Sequence, residues 1–206
     1  MTKLALAGGS VIAGLVIGIA VVHRDHSAPV AHPGRGPYRG SEPPGSIHAP
    51  AFTLPSYRGV RVSVPKPGKV VVLSFVDTSC KESCPVVTTV IARAYRLLTP
   101  KERRQVVPLL VTVDPRTDTP QHVRPFLERR HALAVDYLIG TVRQLRPVWK
   151  AYFILPAIDT GNADVHSSDV RIFDRRSLWV ATQHAGVDLN SANLVHDVRT
   201  ALAPGG

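Results

Sequence analysis

The apolar positions of this chain fall in distinct rhythms, and the first has no rhythm at all. LALAGGSVIAGLVIGIAVV (4–22) is uncharged and has Ser10 as its one polar side chain. Nineteen residues at helical rise just cover a hydrocarbon core of about 30 Å, which predicts a transmembrane helix. The stretch is longer than a signal-peptide core and no small-residue cleavage site closes it, so a cleaved signal is the alternative reading. No cysteine follows it, which excludes a lipoprotein signal. Lys3 on one side, and Arg24 beside Asp25 on the other, favour an inside N-terminus with the large domain outside the cytoplasm. Residues 23–50 are rich in Pro, Gly, Ser and His without an apolar period, which predicts a semi-rigid solvated tether.

From residue 51 the pattern becomes that of a folded domain. FTL (52–54) and VRVSV (60–64) alternate across Arg58-Gly59 as a short hairpin does. KVVVLSFV (69–76) and VVPLLVTV (106–113) are continuous apolar runs, as expected of strands covered on both faces. Between them, Pro85 suits the first turn of a helix, and Val87, Ile91, Tyr95 and Leu98 recur at helical spacing. Thr119-Pro120 predicts a second helix that Pro125 kinks or shortens. DYLIG is a short strand, and Thr141 caps VRQLRPVWKAY. DVRIFD (169–174) and LWVATQ (178–183) form a terminal hairpin, and Asn190 or Ser191 caps a last helix through Leu202. Strand–helix–strand alternation followed by a hairpin and a helix gives an α/β class. A cysteine pair opening the first helix makes the order thioredoxin-like. The expected organisation is an anchor (1–22), a tether (23–50) and one domain (51–206).

Composition narrows the function classes. The 206 residues hold 25 Lys and Arg against 15 Asp and Glu, a net charge of +10. The arginines are scattered, with no dense basic run and little aromatic interleaving, so a solvated basic surface fits better than a nucleic-acid interface. Two cysteines are too few for a disulfide-rich scaffold.

Both cysteines stand together in DTSCKESCP (77–85), directly after the most strand-like run in the chain. Cys80 and Cys84 are four residues apart, which brings two sulfurs to one face of a helical turn. A structural disulfide, a redox pair and a metal site all remain open. A helix N-terminus favours thiolate, which serves the last two. Two thiolates plus an imidazole suit a soft, low-coordinate cation such as Cu(I). A closed zinc site would need two histidines as well, and none of the nine shows paired zinc spacing.

FTL…GKVVVLSFVDTSCKESCP, VTVDPRTDTP and VHSSDVRIFD, in that order, resemble the Sco/SenC family of copper proteins, from Phe52 to about Leu202. The resemblance implies a membrane-anchored thioredoxin-like domain. Such a domain binds copper and helps build the dinuclear copper centre of cytochrome c oxidase, its acceptor being subunit II. It also implies thiol–disulfide chemistry, with a thiol reductant protein as a second partner. The family's ligands fall on Cys80, Cys84 and His166, and its paired acids on Asp114 and Asp118. From the residues alone, His166 is one loop histidine among nine. Asp114 and Asp118 read equally well as supports for the ligands or as turn and cap residues. The chain departs from the family at Asp77, where an aromatic is frequent, and at the turn Asp174-Arg175-Arg176-Ser177, which lacks the usual glycine.

Three functions compete: a copper chaperone, a thiol–disulfide oxidoreductase that keeps the acceptor's cysteines reduced, and a peroxidase on the related peroxiredoxin fold. The last is weakest, because Leu73 and Asp77 stand where a peroxiredoxin needs proline and threonine.

Overall fold

The computed structural model describes residues 36–164 and 168–203. The expected transmembrane helix (4–22) and His166 lie outside the described residues. Among the described residues, no helix is long and apolar enough to cross a membrane.

The domain opens with an antiparallel pair, β1 (Phe52–Pro55) and β2 (Arg61–Val64). A five-stranded sheet follows, built from β3 (Val70–Val76), β4 (Val106–Thr112), β5 (Asp136–Leu138), β6 (Asp169–Phe173) and β7 (Trp179–His184). Its order is β5-β4-β3-β6-β7, with β3, β4 and β5 parallel and β6 and β7 antiparallel to their neighbours. The helices are α1 (Ser83–Leu97), α2 (Pro100–Arg103), α3 (Pro120–Glu128), α4 (Val142–Ala151), α5 (Ala157–Thr160) and α6 (Ser191–Leu202).

The central strand β3 is buried at every position, and its alternate residues serve two cores. Val70, Val72 and Val76 face α1, α3 and α6, which bring Val87, Ile91, Phe126 and Leu194. Val71, Leu73 and Phe75 face the β1–β2 pair and α4, which bring Leu54, Val64 and Trp149, with Tyr152 just after α4. With both faces covered, an alternating apolar–polar strand would bury polar groups, so the strand reads as one apolar run.

Helix α1 starts at Ser83, two residues before Pro85. The first N–H groups of a helix have no internal acceptor, so proline at its third position loses no bond. Both helices with an inner proline survive it. α3 runs three residues past Pro125, held by buried Val123, Phe126 and Leu127. α4 keeps Pro147 on its exposed side and is closed by a capping box between Thr141 and Gln144. The glycine-free hairpin turn is held by a carboxylate instead. Asp174 Oδ1 accepts from the N–H groups of Arg176 and Leu178, and Ser177 takes the left-handed conformation that glycine would otherwise supply.

The stretch expected as a solvated tether behaves differently over its described part. Residues 36–50 lie along the edge strand β7, with Ser41 and Thr182 exchanging backbone hydrogen bonds at 2.8 and 2.9 Å and Trp179 N donating to Ile47 O. An edge strand offers unpaired backbone groups, so this attachment needs no apolar period in the segment that covers it. Asp197, fully buried in α6, fastens the start of the stretch by accepting from Arg39 N, Gly40 N and Gln183 Nε2. Gly40 is required there, because a Cβ would meet Thr182 O at 2.5 Å.

Candidate metal centre

The cysteine turn springs from the C-terminal end of β3, the middle strand, and runs straight into α1. Cys84 is the second residue of α1 and is fully buried; Cys80 is buried in the turn before it. No disulfide joins them. Cys84 N donates to Cys80 Sγ at 3.3 Å, and Asp77 N donates to Cys84 Sγ at 3.4 Å. Each sulfur therefore accepts a backbone N–H, and Cys80 Sγ sits at the positive end of the helix, where negative charge is favoured. The hydrogen bond with Cys80, followed by burial, pushes the Cys84 thiol up from its ordinary value.

The N–H of Asp77 opposes that rise, while the charge of its carboxylate adds to it as the smallest of the causes. Its Oδ1 accepts from Ser79 N at 2.6 Å and from Ser79 Oγ at 2.7 Å, fixing the turn that carries Cys80. Its Oδ2 is buried without a hydrogen-bond partner. Asp77→Asn keeps the Oδ1 acceptor and removes the charge. It is expected to lower the pH at which the thiol pair becomes reactive, measured as the rate of iodoacetamide alkylation against pH. An unshifted profile would mean that the Asp77 charge does not reach the sulfurs.

The two acids paired with the cysteines have different roles. Asp118 is buried and is not a helix cap. Thr78 donates to its Oδ1 from both N (2.9 Å) and Oγ1 (2.6 Å). Thr112 Oγ1 (2.6 Å) and Tyr137 OH (2.5 Å) donate to its Oδ2. One carboxylate thus ties the cysteine turn to β4 and β5. Burial raises its pKa to about 6 against the opposing pull of these hydrogen bonds. Asp114 shapes its own turn, accepting from Arg116 N at 3.0 Å and pairing with the Arg116 guanidinium at 2.6 Å. Burial alone would raise its carboxyl, but the Arg116 contacts prevail and lower it.

Among the described residues, no three His, Cys, Asp or Glu side chains gather to hold a metal, and the cysteines supply two donors. Three of the five described histidines have ring contacts elsewhere: His122 Nδ1 with Thr117 O, His196 Nδ1 with Asp197, and His184 Nε2 with Ser41 Oγ. Sequence reasoning missed Thr78, Thr112 and Tyr137, which hold Asp118. The polar loop Gly161–Asp164 was expected to fold over the cysteine turn, but Asp164 was given no role; its Oδ1 accepts from Lys81 N (2.9 Å) and Glu82 N (3.3 Å), between the cysteines. A T-x-C motif and an aspartate two residues before a candidate ligand were the available signals.

A sequence model of the SCO1/SenC family matches residues 41–203. The chain belongs to the SCO1/SenC family. A protein of Stutzerimonas stutzeri named for copper binding is 32% identical over 91 residues, which are 43% of this chain and 44% of that protein. The aligned stretches span 44% and 63% of the two curated relatives matched, so each comparison covers a part of the relative. Among solved structures, Bradyrhizobium japonicum ScoI with copper bound superposes with a TM-score of 0.64 at 21% identity, covering 76% of this chain and all of that one. BsSco is described as a member of the Sco family of cytochrome c oxidase assembly proteins, with a disulfide switch. It gives a TM-score of 0.64 at 20% identity over 79% of this chain and 97% of its own. At such identities the structures establish the fold: a central mixed sheet flanked by helices, in the thioredoxin-like arrangement of the SCO1/SenC proteins.

Proposed function

We propose that this SCO1/SenC protein is a membrane-anchored, extracytoplasmic copper chaperone. It binds one copper through Cys80, Cys84 and His166 and delivers it to subunit II of cytochrome c oxidase. The observation that carries the reading is the sulfur pair at the start of α1, each sulfur accepting a backbone N–H. Two thiolates in a largely buried turn suit a soft monovalent cation, and an imidazole completes a three-coordinate shell. Asp118 and Asp114 support the ligand turns: the first holds Thr78, the second shapes the loop after β4. Family membership, the copper-named relative and the oxidase-assembly neighbour support the cargo and the acceptor. The apolar segment 4–22 supports the anchor.

The second reading, a thiol–disulfide oxidoreductase, is favoured by the hydrogen bond between the two cysteine side chains, which brings their sulfurs near each other. The two readings differ in their need for an imidazole. His166→Ala is expected to lose Cu(I) to a competing chelator at least about tenfold more readily than the unaltered protein. Its dithiol is expected to be oxidised and reduced at the original rate. Unchanged copper retention would move the assignment to the oxidoreductase.

A further inference from the structure

Along the sequence the basic residues form no dense run, but the fold gathers seven of them at one end of the sheet. Three turns meet at the N-terminal end of β3: 65–69 before it, 99–105 around α2, and 174–177 between β6 and β7. Hydrogen bonds fix the turns side by side. Gly68 N donates to Arg175 O at 2.8 Å, Val70 N to Gln105 O at 2.8 Å, and Lys69 Nζ to Arg104 O at 2.5 Å. These turns hold seven Lys and Arg against two acids, and both acids are already engaged. Asp174 is buried and paired with Arg176 at 3.0 Å, and Glu102 pairs with Arg199 at 2.8 Å. The charged heads of Lys66, Lys101, Arg104 and Arg175 make no hydrogen bond or ion pair among the described residues.

Crowded like charges repel one another and destabilise the compact state, so the cluster calls for a compensating partner. Helix ends account for only part of it. Lys101 and Arg103 complement the C-terminal end of α2, but Lys66 and Arg175 stand in turns between strands, with no helix end to complement. The charges are spread over three turns rather than aimed at one point, which suits a charged plane better than a single small anion. β3 runs about 20 Å from Val70 at this end to Val76, where the cysteine turn begins. A plane under the basic turns therefore leaves the cysteines free on the opposite side.

We propose that this basic end is a docking face for the anionic phospholipid headgroups of a bilayer. The choice of a bilayer over an acidic protein rests on the anchor reading given under Proposed function. Residues 23–35 span at most about 45 Å, which keeps a bilayer holding segment 4–22 within reach of the domain. Each Lys or Arg close to an anionic leaflet strengthens the attraction about fivefold, and salt screens it. Docked on this face, the domain turns its cysteines away from the lipid.

The test uses the full-length chain in nanodiscs of phosphatidylcholine alone, or of phosphatidylcholine and phosphatidylglycerol in equal parts. Acetylation of each lysine is followed by mass spectrometry, with Lys81, exposed between the cysteines, as internal reference. In anionic discs at low salt, Lys66 and Lys101 are expected to react at least about fivefold more slowly, relative to Lys81, than in neutral discs. High salt should remove the difference, because 1 M salt shortens the screening length to about 3 Å. Arg104→Glu/Arg175→Glu alters two side chains that hold no bond in the domain. It should abolish the protection and leave the circular dichroism unchanged. Equal rates in the two kinds of disc would overturn the proposal and give the face to an acidic protein instead. Protection that persists in neutral discs or in high salt would also overturn it, since that contact would not be to anionic lipid. Flotation with neutral vesicles in high salt reads the anchor separately. A chain that floats only with anionic vesicles at low salt would refute the anchor and leave the docking face standing.

Discussion

Cys84→Ser is expected to weaken Cu(I) binding by more than about 100-fold, beyond what loss of a supporting residue around a metal costs. A serine hydroxyl is a hard donor and stays protonated, so Cu(I) would keep one sulfur of the pair. The fold should survive, since Asp77 N can donate to a serine oxygen as it does to Cys84 Sγ. Circular dichroism and chelator competition on the same sample separate the two effects. The pH dependence of copper binding follows from the same chemistry. The Cys84 thiol is raised by its hydrogen bond with Cys80 and by burial, so copper must displace a well-held proton. Each proton released costs up to about tenfold in affinity per pH unit lost, so binding weakens as pH falls. An imidazole in the shell would steepen the trend, because a protonated imidazole cannot coordinate. A disulfide between the cysteines has no thiolate to offer, so copper loading is expected to require prior reduction.

The second large effect is on stability. Asp118→Ala would leave the N–H and hydroxyl of Thr78, and the hydroxyls of Thr112 and Tyr137, without their shared acceptor. The expected loss is about 3 kcal/mol, from a buried network deprived of its centre. Asp118→Asn isolates the charge. The folded carboxyl, at about 6, lies above its ordinary 3.8, so the folded state binds the proton more tightly than the unfolded state. The sign follows: the contribution of this group to stability is lowest at neutral pH, grows as pH falls through 6, and is complete below 3.8. Between pH 7 and pH 5 the unaltered protein should therefore gain about 1 kcal/mol relative to Asp118→Asn, read from urea unfolding at the two values. Protonation is accommodated because the Tyr137 hydroxyl has a second acceptor in Val76 O, at 3.2 Å. An equal gap at both pH values would mean that Asp118 is ionised throughout the range.

Much of the domain was legible in the sequence because its strongest signals are local. KVVVLSFV names a strand covered on both faces, and β3 is that strand, with Val70 and Val72 facing one core and Val71 and Leu73 the other. Thr141 announced α4, and Asn190 announced α6 through its bond from Asn193 N. The cysteine turn at the start of α1 was legible from spacing, although the helix begins two residues before Pro85. Contacts between distant segments were not legible. Nothing in DPRTD says that Asp118 reaches Thr78 across two strands, since its meaning depends on β3 and β4 being neighbours. The same holds for Asp164 at Lys81 and for Asp197 at Arg39 and Gly40. The 36–50 stretch was misread for a related reason: its attachment is through backbone groups to β7, which no side-chain pattern records. Asp77 was visible as a departure from the family, but its two unequal oxygens, one in the turn and one buried without a partner, were visible only in three dimensions.

The central claim is that one copper sits between Cys80, Cys84 and His166, and the nature of the bound shell tests it most directly. X-ray absorption on the Cu(I)-loaded full-length protein should show three-coordinate copper with two sulfurs at thiolate distance and one nitrogen, and the nitrogen contribution should vanish in His166→Ala. A shell made only of nitrogen or oxygen, or one unchanged by His166→Ala, would contradict the account.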